Sequence, residues 1–175
     1  MIKFEKYYNN LYFMYLLFNN NLLKNVDIFE IANVLANNGE DSEFLIDILL
    51  DGPDSESISY NFNNYLKTKD FIFVNEDGLI KRTILFIFNE IILNNISLMD
   101  GIKFVIENFV EQGKSKKYFS DYLNISDIIS VYYTIDDGDI KNREDINEAI
   151  KLLKNLVKDY LFKYKTEGFY KNGKV

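Results

Sequence analysis

The 175-residue chain contains no cysteine and no histidine. Without cysteine it can form no disulfide, no thiolate nucleophile and no thiolate zinc site, a composition that fits a reducing cytosol. Without histidine it lacks the usual general base at neutral pH and the commonest transition-metal ligand. Tryptophan is absent too, and alanine stands only at positions 32, 36 and 149. No apolar run approaches the roughly 20 residues that span a bilayer, and the first residues show no basic-then-apolar export pattern. A cytoplasmic protein with no membrane partner is expected. Neither a glycine-rich phosphate loop nor a G-x-S-x-G elbow occurs, and nothing calls for a cofactor. Asparagine, isoleucine, lysine, tyrosine and phenylalanine are abundant in the manner of an AT-rich codon bias. Asparagine-rich patches are therefore given no functional weight.

What the chain does have is helical periodicity. From Thr83 to Phe109 the first half is apolar almost all round, with Ile84 to Phe88 and Ile91 to Leu93 interrupted only by Asn89 and Glu90. Such a helix cannot lie on a surface and belongs at the centre of a bundle. Its second half is one-sided, with Leu98, Ile102, Val105, Ile106 and Phe109 at 3.6-residue spacing. Between the halves, Ser97 followed by Asp100 reads as a helix start. The stretch is expected to form two antiparallel helices.

The same reasoning places further helices over residues 3–19, after an Asp27 cap up to Gly39, over Ser42 to Leu50, and over Ser57 to Lys67. A short helix is expected from Ser126. A long last one, capped by Asn142, carries a stripe of Ile146, Ile150, Leu153, Val157, Tyr160, Leu161 and Tyr164. Residues 70–82 read two ways. A β-rich run, a turn at Asn75 to Gly78 and a second run suit a hairpin, whereas Asn75 could instead cap the central helix. The expectation is an all-α, single-domain multi-helix bundle over 1–168, with at most one short β-hairpin near 70–82 and a frayed tail at 169–175. Phe18 to Ile28 also aligns with Phe88 to Leu98, which suggests a duplicated helical hairpin.

Charge is unevenly placed. From Asp27 to Asp77 there are twelve acids against Lys67 and Lys69, a net of −10 in a chain whose total is −7. An acidic third on a nearly neutral remainder argues against nucleic acid, because phosphate binding needs a basic surface. It suits a basic protein partner, or simply a solubilising face.

The search for chemistry gives little. Asp136-Asp137-Gly138-Asp139 fails the calcium-loop pattern in either register, since Asn142 or a misplaced Gly138 falls where the ligand scheme forbids it. It reads as a solvated turn, and no metal site is expected. The carboxylates of residues 40–54 lie in wet segments, where nothing raises a pKa toward catalytic use. Glu90 is a lone acid in an apolar stretch; it is expected to find a lysine, an arginine or a tyrosine hydroxyl as a structural partner. Tyr132 and Tyr133, with Tyr118, Phe119 and Tyr122, could form an aromatic recognition surface or fill a core.

Three segments carry a resemblance: Leu22 to Ile28, the apolar Ile84 to Leu93 run leading to Ser97-Leu98, and Val131 to Asp137 before the last helix. On these the chain resembles an uncharacterised family of small, mainly helical bacterial proteins, some of which look like immunity proteins encoded beside secreted toxins. Relatives favour tryptophan at a few places where this chain has none, and the resemblance implies no catalytic residues. Taken with the acidic third, the reading is a non-catalytic immunity protein that neutralises a basic toxin domain through its acidic face. The contact residues expected are Asp47, Asp51, Asp54 and Glu56, with Tyr132 and Tyr133 as a second choice. The alternatives are a scaffold module, or a small carboxylate enzyme centred on Glu90.

Overall fold

The computed structural model describes residues 2, 4–71, 75–111, 123–140 and 142–166. Eight α-helices account for most of them, and no strand occurs among the described residues. The helices are α1 Leu11–Asn19, α2 Asn25–Asn37, α3 Glu43–Asp51, α4 Ile58–Lys67, α5 Glu76–Ile92, α6 Leu98–Val105, α7 Ser126–Asp136 and α8 Arg143–Thr166. They gather into two compact units. The N-terminal unit takes residues 3–80; the C-terminal unit takes residues 81–175 with residues 1–2, so α5 has residues in both.

In the N-terminal unit the expected helix over 3–19 is broken. Glu5–Tyr7 make one 3₁₀ turn, and α1 starts only at Leu11 because the Asn10 side chain accepts the Phe13 N–H at 3.0 Å. A capping asparagine competes with helix continuation, and here it wins. Phe4 and Tyr7 fold back edge-on against Phe13. Five consecutive residues of α1, Phe13 to Leu17, are buried, which leaves that stretch with no exposed face. Helix α2 begins two residues earlier than the expected Asp27 cap. Asp27 instead sits in the first turn, where its Oδ2 accepts the Lys24 N–H at 2.8 Å and its Oδ1 accepts the Tyr8 hydroxyl at 3.2 Å. Helices α2, α3 and α4 pack against one another, on Ile28, Ile31, Leu45, Ile48, Phe62 and Tyr65.

The hairpin reading of 70–82 is overturned, because its second run lies inside α5. Asn75 caps that helix, its Oδ1 accepting the Gly78 N–H at 2.9 Å. Glu76 and Asp77 stand in the first turn, where the helix dipole favours acids.

In the C-terminal unit α5 buries Ile84, Leu85, Ile87, Phe88 and Ile91, as its composition demands. Leu93 departs from that expectation at 57% exposure. It falls beyond the helix end, next to Asn94, whose left-handed backbone (φ 58°) turns the chain away. Helix α6 folds back on α5 so closely that Gly101 lies on Ile91. Its start is held as expected, with the Asp100 N–H donating to Ser97 Oγ at 3.1 Å and that hydroxyl donating to Asp100 Oδ2 at 2.8 Å. After α6 the backbone widens into one π turn over Ile106–Val110, which keeps Ile106 and Phe109 buried. Helix α7 packs on α6 and α8, and Phe88 meets Tyr160 of α8 edge-on at 5.2 Å. Asn142 caps α8 through the Glu144 N–H at 3.0 Å.

The duplicated hairpin has a geometric counterpart in another register. Asn21 N–H bonds Phe18 O and Leu22 N–H bonds Leu17 O; Asn94 N–H bonds Ile91 O and Asn95 N–H bonds Glu90 O. The two turns are closed by the same pair of bonds, but Asn21 matches Asn94, three residues further on than the alignment of Phe18 with Phe88 allows. The tail at 169–175 and the Tyr118, Phe119 and Tyr122 segment lie outside the described residues.

Candidate functional site

Helix α3, with the sequence EFLIDILLD, has more apolar residues than one face can hide. Leu45 and Ile48 point into the packing with α2 and α4, which leaves Ile46 and Leu50 on the outside, Leu50 at 79% exposure. These two are one helical turn apart. Glu43, Asp47 and Asp51 are exposed on the same side, also at one-turn intervals. The outer face of α3 is thus a pair of aliphatic side chains beside a stripe of three carboxylates. Val26, at the start of α2, and Tyr60, on α4, are further large apolar residues exposed in this unit.

The loop from α3 to α4 is built around Asp51. Gly52 turns the chain with φ 81° and ψ 173°, a region nearly closed to residues with a Cβ, at a cost of about 1–3 kcal/mol. The Ser57 hydroxyl then donates to Asp51 Oδ2 at 2.7 Å, Ser55 and Ser57 share a 2.7 Å hydroxyl contact, and the Ser57 N–H donates to Ser55 Oγ at 3.2 Å. Asp51 is therefore partly a structural residue. Asp54 and Glu56, in the loop itself, are exposed, as is Asp47. All four acids expected from the sequence lie on this one helix and loop.

Other acids of the segment are committed elsewhere. Glu40 Oε2 meets Lys69 Nζ at 2.6 Å, joining the end of α2 to the end of α4, and Lys69 lies 4.8 Å from the centre of the Tyr65 ring. The hydrogen bond from Lys69 holds the Glu40 carboxyl below its ordinary range.

In the C-terminal unit the aromatic pair divides. Tyr132 is only 3% exposed, so it packs in the interior instead of presenting a surface. Burial, and after it the carboxylate of Asp136, pushes its hydroxyl up to about 12. Tyr133 reaches solvent, donates to Glu111 Oε1 at 3.0 Å, and has a raised pKa from partial desolvation and that bond. Glu90 is buried, at 7% exposure, and its Oε2 accepts from Asn95 Nδ2 at 2.9 Å. A shallow groove between α7 and α8 carries Asp127, Asp159 and Lys163 at its rim, on exposed positions. Among the described residues no three acids gather into a set that could hold a metal ion, and no helix is long and apolar enough to cross a membrane.

Sequence reasoning chose the acids of this site and missed its apolar half. The signal was present: six of the nine α3 residues are aliphatic or aromatic, too many for the inner face of a surface helix. Comparison with protein-family models, with curated proteins and with solved structures finds no match to this chain.

Proposed function

We propose that the chain is a non-catalytic protein-binding module, and that the outer face of α3 with the loop into α4 is its recognition surface. The observation that carries this reading is the exposure of Ile46 and Leu50 beside Glu43, Asp47 and Asp51. Apolar side chains at the centre of an interface supply affinity once water is excluded, while charges at the rim steer the encounter. Here the rim is acidic. Residues 3–80 hold thirteen acids against five lysines, a net of −8, so the complementary partner is a basic protein. In the specific form that the sequence resemblance implies, that partner is a toxin domain which the chain neutralises by covering its active site.

The test uses paired baits, the parent and Leu50→Arg; a basic protein held by the parent and lost by the variant is the candidate. With that protein in hand, Asp47→Asn, Asp54→Asn and Glu56→Gln combined should slow association and flatten its salt dependence. Leu50→Ala should speed dissociation, and neither change should move the melting temperature much. Asp51 is left in place because it holds the loop. For the toxin-neutralising form, cells producing the captured protein should survive with the parent and not with Leu50→Arg. Parental rates and affinity at low salt in both the charge variant and Leu50→Ala would reduce this surface to a solvated face.

A further inference from the structure

The exposed apolar residues of the N-terminal unit gather toward one end of it. Glu40 and Lys69 join the C-terminal ends of α2 and α4, so these two helices run parallel and α3 runs back from that end to the other. At the other end, the Asn25 side chain lies 3.5 Å from the Ser55 carbonyl and 3.5 Å from the Ser59 hydroxyl, and the Ser57 hydroxyl donates to Asp51. These contacts bring the first turn of α2, the last turn of α3 and the first turn of α4 to one place. Val26, Leu50 and Tyr60 belong to those three turns, at 58%, 79% and 68% exposure. Ile46 is the next exposed apolar residue, one helical turn back along α3. Apolar residues scattered singly over a surface are ordinary, whereas a group at one place, rimmed by charge, marks an interaction site.

The charge at this end is negative. Asp27, Asp51, Asp54 and Glu56 stand in the same turns and in the loop between α3 and α4, against Lys24. A cation is the complement, and Tyr60 selects its kind. A guanidinium is planar and weakly hydrated, so it stacks on an aromatic face while its edge pairs with a carboxylate; a lysine ammonium is compact and strongly hydrated. Glu56, four residues before Tyr60 in the turn that opens α4, is exposed and supplies such a carboxylate. We infer that this end of the unit takes an arginine side chain of the basic partner, stacked on Tyr60 and paired with Glu56. Val26 and Tyr60 thereby extend the contact beyond the face of α3. The inference rests on the binding role proposed for that face and adds the chemistry that the partner must present.

The probes are oligoarginine and oligolysine of equal length, titrated against the full chain. Oligoarginine should bind the tighter of the two and move the magnetic resonance signals of the Tyr60 ring. Tyr60→Leu should weaken oligoarginine binding about tenfold and erase the preference over oligolysine. Tyr60→Phe, which keeps the ring face, should retain both. Tyr60 is exposed, so neither change should move the melting temperature, which verifies folding. Equal affinity for the two peptides, or parental binding by Tyr60→Leu, would overturn the inference and reduce the acids to a diffuse field. As baits, Tyr60→Leu and Val26→Arg should lose the basic protein that Leu50→Arg loses. A protein lost by Leu50→Arg and held by both of the others would overturn the inference while the role of α3 stood. One held by Leu50→Arg would count against α3 itself, and the peptide titration would still decide on Tyr60.

Discussion

Asn21, Asn94 and Asn124 hold left-handed backbone angles, φ 56°, 58° and 54°. Asparagine tolerates this region better than other residues with a side chain, so it can end a helix where glycine is commoner. Sequence places asparagines at the helix-ending turns, but the type is abundant, and only the backbone tells which copies take the left-handed angle. Two tyrosines give a prediction at the same scale. Tyr8 is pushed up to about 12 by burial and then by the Asp27 carboxylate that accepts its hydroxyl, and Tyr132 likewise by burial and Asp136. A raised pKa means that the folded state keeps a proton which the unfolded chain gives up near pH 10. Their stabilisation is whole below pH 10 and is lost as pH climbs from 10 toward 12. The melting temperature should fall across that window, and less steeply in Tyr8→Phe and Tyr132→Phe. Equal slopes in parent and variants would show that neither hydroxyl is coupled to folding.

Whole helices were easier to read than their ends. The apolar stripe of α8 from Leu153 to Tyr164 and the one-sided α6 follow directly from spacing, because burial on one face repeats at the helical period, although Ile150 of the same expected stripe stands exposed. The start of α5 did not follow, since β-rich residues before Asn75 and helix-capping residues after it support opposite readings, and only the cap decides. The closeness of α5 and α6 was also illegible, because nothing in sequence says what lies over a glycine. A Cβ on Gly101 would stand 2.5 and 2.8 Å from Ile91 Cδ1 and Cγ1, and 3.2 Å from Ile96 Cγ2. Both isoleucines are buried and cannot swing away. Alanine would gain about 1 kcal/mol of helix propensity, but overpacking costs about 1–3 kcal/mol. Gly101→Ala should therefore lower stability, and Ile91→Val, which removes the Cδ1 methyl, should recover part of the loss. A more stable Gly101→Ala variant in urea unfolding would mean the two helices stand further apart.

For the molecule as a whole, the sequence disclosed the all-α class and the place of the acids, since composition and charge are counted without knowing the fold. The exposed aliphatic pair on α3 needed the fold, because only packing decides which of six apolar residues stay outside. The burial of Tyr132 beside an exposed Tyr133 is a second case, for adjacent positions on a helix face different ways. One feature of the architecture also has a kinetic side. Helix α2 packs with α3 and α4, α6 with α7, and α7 with α8, each against a near neighbour along the chain. Closing short loops costs little entropy, and helical domains dominated by such local contacts fold in microseconds to milliseconds. In stopped-flow dilution from urea, helical signal and tyrosine fluorescence should return within milliseconds. Recovery over seconds would mean that the slow step is a meeting of segments far apart in the chain.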